Sequence, residues 1–193
     1  MKRTKTTTFK KRDTTRMLCE GAIMVALATA LSYVKFFELP NGGSVCIGMV
    51  PILIYCIRWG WKDGFLATFA MGLLQLIFDG AYAWGPWSML LDYLLAYGVL
   101  GVAGFFWKRK SGLFTGTVVA CICRFIIHFI SGITIYKIYE PTEVLNHVYT
   151  NPYLYSAVYN GSFLAIDMVL CLIIFAILYK PLKRYITAQD LNG

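Results

Sequence analysis

The sequence predicts an all-α integral membrane protein with six transmembrane helices and both termini cytoplasmic. Three observations carry this reading. The 193 residues are 58% hydrophobic and only 15% charged, against about 25% charged residues in a soluble domain, and the mean hydropathy is +0.61. The apolar residues form continuous runs, unlike the alternating segments of about 10 residues that build a membrane barrel. The basic residues behind the net charge of +8 gather on one side of those runs. Disorder and collagen-like structure are excluded, since both need fewer apolar residues or a Gly/Pro period.

A spanning helix takes about 20 mostly apolar residues. Six stretches qualify: 17–36, 45–59, 65–78, 89–107, 113–135 and 162–178. The second and third are short, so their flanks extend them or they tilt among their neighbours. The first exceeds the apolar core of a signal peptide, about 7–15 residues, and is read as a retained span. The domain reading follows: a basic cytoplasmic tail over 1–16, a six-helix membrane domain over 17–182 and a cytoplasmic tail over 183–193.

Charge sets the orientation. Lys2, Arg3, Lys5, Lys10, Lys11, Arg12 and Arg16 precede the first span, and Arg58 and Lys62 lie between the second and third. Lys108, Arg109 and Lys110 lie between the fourth and fifth, and Lys180, Lys183 and Arg184 follow the sixth. Only Lys35 and Lys137 fall on the other side, while Arg124 lies inside the fifth span. Cytoplasmic loops carry the Lys/Arg excess, so both termini are expected inside. With no soluble reading module, the basic N-terminus points to anionic lipid heads rather than nucleic acid.

The two sets of connections differ in kind. Those at 59–64 and 108–112 are short and basic. Those at 38–44, 79–87 and 136–160 are aromatic, polar and rich in Gly and Pro. An aromatic belt would show on both sides, so the asymmetry favours an outward-facing ligand site.

Ionisable residues within spans are costly and functional by default. Asp92, Arg124, His128 and Asp167 qualify. Arg124 and His128 are four apart and share one helix face. A bland alternative is internal pairing, Arg124 with an aspartate and His128 with a backbone carbonyl. Together the groups suggest a polar pocket ringed by Tyr, Trp and Asn160. Its walls would stack a planar ring or a quaternary nitrogen, and its polar groups would read a heteroaromatic edge.

Other signals fail. The six cysteines have no CxxC spacing, and two histidines without acidic partners at ligand spacing give no metal site. No phosphate loop and no nucleophile–base pair is present, so no catalytic residue is assigned. Gly98, Gly101 and Gly104 suit close helix packing, and Ala22, Ala26 and Ala30 form a small-residue stripe. That stripe packs within the bundle or against a separate membrane subunit.

Six segments, in this order and spacing, carry a family resemblance. They are Leu39-Pro40-Asn41-Gly42-Gly43-Ser44-Val45 with Met49-Val50-Pro51-Ile52, then Arg58-Trp59-Gly60 and Leu90-Leu91-Asp92-Tyr93. Arg124 to Gly132 and Tyr155-Ser156-Ala157-Val158-Tyr159-Asn160-Gly161 complete them. The chain resembles the substrate-binding S-components of energy-coupling factor (ECF) vitamin transporters, and among these the thiamine-specific one. The resemblance implies six helices around a deep extracytoplasmic thiamine site, closed by the loop between the first two spans.

It also implies site residues. Asp92 holds the family's carboxylate position, with Tyr93 beside it. Arg124 replaces a lysine and His128 matches directly. Tyr136 stands where the family has a stacking Trp; Tyr155, Asn160 and Tyr82 match ligand contacts; Gly43 and Ser44 belong to the lid. A Trp of some relatives aligns with Gly42, leaving that contact absent or supplied by Trp84 or Trp87. The Ala22/Ala26/Ala30 face would meet the coupling subunit, which joins two ATPases. No cofactor is implied beyond the ligand thiamine, and Asp167 has no family role. The alternatives are an S-component for riboflavin, biotin or a pyridoxine-like vitamin, or a lipid-modifying enzyme using His128 and Asp92.

Overall fold

A computed structural model describes residues 14–39, 42–79, 85–107, 109, 111–139, 143–144 and 147–191. Six helical runs fill most of them: α1 (Thr14–Ser32), α2 (Met49–Trp59), α3 (Trp61–Asp79), α4 (Pro86–Phe106), α5 (Gly112–Tyr139) and α6 (Pro152–Ile186). Two antiparallel hairpins interrupt them, β1 (Lys35–Glu38) with β2 (Ser44–Cys46), and β3 (Glu143–Val144) with β4 (His147–Val148).

Four of these, α1, α4, α5 and α6, are long and apolar enough to cross a membrane. With 11 residues, α2 measures about 16 Å against a hydrocarbon core of about 30 Å. Every one of its residues is buried, so α2 is the centre around which α1, α3, α4, α5 and α6 pack. α3 has the length but carries Lys62, Asp63, Gln75 and Asp79.

The outer surface is apolar. Ile122, Ile126 and Ile130 on α5 and Ile166, Val169, Ile173 and Ile177 on α6 form exposed rows at helical spacing. Leu66, Phe69, Leu73 and Ile77 do the same on α3. Rows of this extent on several helices mark a lipid-facing surface. Close approach is local: a Cβ on Gly104 would lie 2.5 Å from the Trp61 Cα, and one on Gly101 2.8 Å from the Phe65 Cα. The expected glycine packing is therefore the α3–α4 contact, except that Gly98 meets only one ring atom at 3.7 Å.

Three boundaries correct the sequence reading. The end of the expected first span is β1, because α1 stops at Ser32. Residues 136–160 are not one loop: α5 runs to Tyr139 and α6 starts at Pro152. The Asn151 side chain caps α6, accepting from the Tyr153 N–H at 2.9 Å, with Pro152 preset for the first turn. The last helix also passes residue 178 and reaches Ile186.

One end of the bundle is tied by a charged cluster. Arg58, its side chain wholly buried, donates to Glu20 Oε2 at 2.6 Å and to Asp190 Oδ1 at 2.7 Å. Arg16 pairs with the same two carboxylates, and the Trp59 Nε1–H donates to Glu20 at 2.8 Å. The cluster joins α1, α2 and the turn Gln189–Leu191 that follows α6. Removing one partner of a buried pair strands the other charges, at about 3–5 kcal/mol. Arg58→Ala is expected to lower stability by about 3 kcal/mol in detergent thermal unfolding, whereas Lys62→Ala, on an exposed residue, leaves the midpoint within experimental scatter.

Candidate functional site

The opposite end holds a cavity of about 100 Å³. One water needs about 10–15 Å³ measured the same way, so several waters or a small organic molecule fit. The hairpin residues 42–44 cover it, and α3, α4, α5 and α6 supply the walls.

Asp92 sits where α4 widens into a π-helical segment, Met89–Leu95; such widened turns recur at functional sites. Its Oδ2 accepts from Ser88 Oγ at 2.7 Å and Ser131 Oγ at 2.6 Å, and its Oδ1 lies 2.9 Å from His128 Nδ1. A carboxylate has about four acceptor positions. Three are taken, and the side chain is 20% exposed and lines the cavity, so one acceptor position remains open there.

On α5, Arg124, His128 and Ser131 share a face because their spacings of four and three match the helical turn. Arg124 Nε lies 3.4 Å from His128 Nε2. Arginine only donates, so a neutral imidazole with its proton on Nδ1 satisfies both Arg124 and Asp92. The guanidinium also lies over the Tyr97 ring, 4.5 Å from its centre. Among the described residues no carboxylate lies within ion-pair distance of Arg124. The bland pairing with an aspartate is thus replaced by a stacked guanidinium lining the cavity. The His128 ring likewise bonds Asp92 rather than a backbone carbonyl.

From α6, Asn160 donates to the His128 carbonyl at 3.0 Å and the Ser156 carbonyl at 3.1 Å. Ser156 Oγ donates to the Phe129 carbonyl at 2.7 Å. These bonds lock α6 to α5 beside Asp92. Tyr155 and Tyr159 stack 5.8 Å apart, and the Phe163 ring meets Tyr159 and His128 edge-on. Tyr93 completes the wall, its hydroxyl donating to the Asp79 carbonyl at 2.7 Å.

The structure therefore brings Asp92, Tyr93, Arg124, His128, Tyr155, Asn160, Gly43 and Ser44 to one cavity. Tyr82, Trp84 and the side chain of Tyr136 lie outside the described residues. Among the described residues, Trp87 is 66% exposed and is not part of the cavity lining. Tyr159, Phe163, Ser88, Ser131, Tyr97 and Asp79 also line or brace the site and were not assigned from sequence. The signal for two of them was the four-residue spacing Tyr155, Tyr159, Phe163, hidden while 136–160 read as a loop. The Ala22/Ala26/Ala30 stripe is exposed on α1, not packed inside the bundle. Among the described residues, no group of three or more His, Cys, Asp or Glu could hold a metal ion.

A braced carboxylate beneath aromatic walls, inside a bundle with a lipid-facing exterior, defines a ligand-binding membrane protein. Residues 18–187 match the model of the family described as Thiamine transporter protein (Thia_YuaJ). The chain belongs to that family, and so is a membrane transporter protein and not an enzyme.

Among curated relatives, the thiamine transporter ThiT of Bacillus subtilis (strain 168) is 30% identical over 187 residues, covering 89% of this chain and 94% of that protein. ThiT of Lacticaseibacillus paracasei is 26% identical over 190 residues, covering 90% and 92%. Among solved structures, ThiT from Listeria monocytogenes aligns with a TM-score of 0.77 at 22% identity, covering 90% of this chain and 98% of that one. The S component of a bacterial ECF transporter aligns at 0.59 and 21% identity, covering 89% and 98%. These two likenesses are of fold.

Gly43 tests the fit of the hairpin against α6. A Cβ there would lie 2.9 Å from the Phe163 ring and 3.1 Å from the Tyr159 hydroxyl. Gly43→Val is expected to lift the hairpin. Hydrogen exchange over 42–46 then speeds several-fold while far-UV circular dichroism keeps its helical signal.

Proposed function

We propose that the chain is the thiamine-binding S-component of an ECF-type importer. It captures thiamine on the extracytoplasmic side and delivers it through a coupling subunit driven by two ATPases. The observation that carries this reading is the Asp92 carboxylate, held by three donors under aromatic walls, in a chain of the thiamine transporter family. Thiamine offers an aminopyrimidine donor edge and a permanently cationic thiazolium. A fixed anion suits both, and tyrosine faces attract the cation.

The proposed ligand residues are Asp92, Tyr93, Arg124, His128, Tyr136, Tyr155, Asn160, Tyr82, Gly43 and Ser44. Asp92 takes the pyrimidine donors or balances the thiazolium, His128 keeps Asp92 oriented, and Tyr155 and Asn160 close the far wall. Arg124 brings a planar, weakly hydrated cation to a position where the family resemblance implies lysine. Its stacking on Tyr97 supports a role in shaping the cavity rather than in neutralising Asp92. The exposed Ala22/Ala26/Ala30 face supports docking of a coupling subunit, since small residues let helices approach closely.

The proposed topology has six crossings with both termini cytoplasmic, the tails being 1–16 and 183–193. Sorting of lysine and arginine supports it, as does the meeting of Arg16, Arg58 and Asp190 at the end away from the cavity. A membrane-impermeant maleimide is expected to label Glu38→Cys on intact cells above the wild-type background, and Lys62→Cys only after permeabilisation. The reverse pattern overturns the orientation.

For the ligand, Asp92→Ala is expected to weaken thiamine binding about a hundredfold or more. That is the scale of a lost charge-assisted hydrogen bond beside an unbalanced cation. Asn160→Ala is expected to cost about tenfold. Tryptophan-fluorescence titration of the purified variants measures both; unchanged affinity in the two would sink the site assignment. Tighter binding of riboflavin, biotin or pyridoxine than of thiamine would sink the ligand.

A further inference from the structure

Asp167 is 1% exposed in the middle of the longest apolar helix. A carboxylate at such a position is costly unless it makes a specific contact. Its Oδ1 accepts the backbone N–H of Cys46 at 2.9 Å. Cys46 is the last residue of β2, the inner strand of the hairpin that covers the cavity. Two turns earlier on the same face of α6, the Tyr159 hydroxyl accepts the backbone N–H of Gly43 at 3.0 Å.

The spacings match. Eight residues along a helix cover about 12 Å, and the three steps from Gly43 to Cys46 cover about 10 Å in extended backbone. The strand therefore lies along α6, and its two ends are held by two α6 side chains. Leu39, Val45, Val144, Tyr155, Tyr159, Phe163 and Leu164 bury themselves together around this seam, so apolar contact fills the space between the two hydrogen bonds.

We propose that Asp167 and Tyr159 form a two-point latch on α6 that holds β2 and the preceding Gly43 shut over bound ligand. Both act as positioning residues: loss of either hastens ligand escape more than it slows capture. The inference rests on the thiamine reading for its ligand. It assigns Asp167 a role that its place in the span left open, and that role does not need contact with the ligand, since Asp167 does not line the cavity.

The test measures thiamine association and release by stopped-flow fluorescence on the purified full chain. Hydrogen exchange over 42–46 is measured in parallel without ligand. Asp167→Leu removes the acceptor, Asp167→Asn keeps a carbonyl of the same reach, and Tyr159→Phe removes only the hydroxyl. Asp167→Leu and Tyr159→Phe are each expected to raise release about five- to tenfold, the worth of one hydrogen bond. Association stays within about twofold, exchange over 42–46 rises, and Asp167→Asn stays near wild type.

Unchanged release and exchange in Asp167→Leu and Tyr159→Phe overturns the latch, as does slower association with unchanged release. If Asp167→Leu does not fold, the ligand-free exchange over 42–46 in Tyr159→Phe decides, since Tyr159 also lines the cavity. If the wild-type chain binds no thiamine, the functional reading falls and the exchange measurement still decides the latch.

Discussion

The hydrogen bonds to Asp92 set the geometry on which the site depends. In a bundle with lipid outside, a charged side chain has no bulk water to retreat to, and its cost must be met by protein donors. Ser88 comes from the same helix one turn earlier, while Ser131 and His128 reach across from α5. Meeting that cost therefore fixes the distance between α4 and α5. His128 passes the constraint on: its ring contacts Arg124 and its carbonyl receives Asn160 from α6. Three helices and six polar side chains are thus held in one arrangement before any ligand arrives. A preformed polar base of this kind limits the ordering cost of binding.

The molecule divides its polar groups between two ends with different tasks. At one end Arg58, Glu20, Arg16 and Asp190 neutralise one another and leave little for a ligand to take. At the other, Asp92 keeps an acceptor position open and Arg124 stacks on Tyr97 without a carboxylate partner among the described residues. α6 reaches both. It carries the Tyr155–Phe163 face at the cavity, its C-terminal turn offers the Tyr185 carbonyl to Arg58, and the turn that follows supplies Asp190. A helix pinned at its far end by charge gives the hairpin a rigid track to lie on.

Between them lies an apolar core centred on α2, with a close backbone approach where α3 meets α4. α2 is buried all round, and the α3–α4 contact at Gly101 and Gly104 leaves no room for a Cβ. Such packing suits a membrane bundle, where apolar association in lipid gains little and contact must come from fit.

Much was legible in the sequence because its physics is local. Apolar run length and the one-sided distribution of basic residues require no partner to be read. The rarity of charge within spans singled out Asp92, Arg124, His128 and Asp167, and three of the four line the cavity. What the sequence could not decide was partnership across helices. Whether Arg124 meets an aspartate or a tyrosine ring depends on where α4 and α6 fall relative to α5.

The hairpin strands were likewise invisible, since a four-residue and a three-residue strand form only because each pairs with the other and β2 rests on α6. The sequence by itself determined a lipid-embedded helical bundle with one basic side and a handful of buried charges. The tertiary structure decided which of those charges neutralise one another, which face a ligand, and which, like Asp167, hold the backbone in place. Hydrogen bonds between segments more than thirty residues apart leave no periodicity for a sequence to carry.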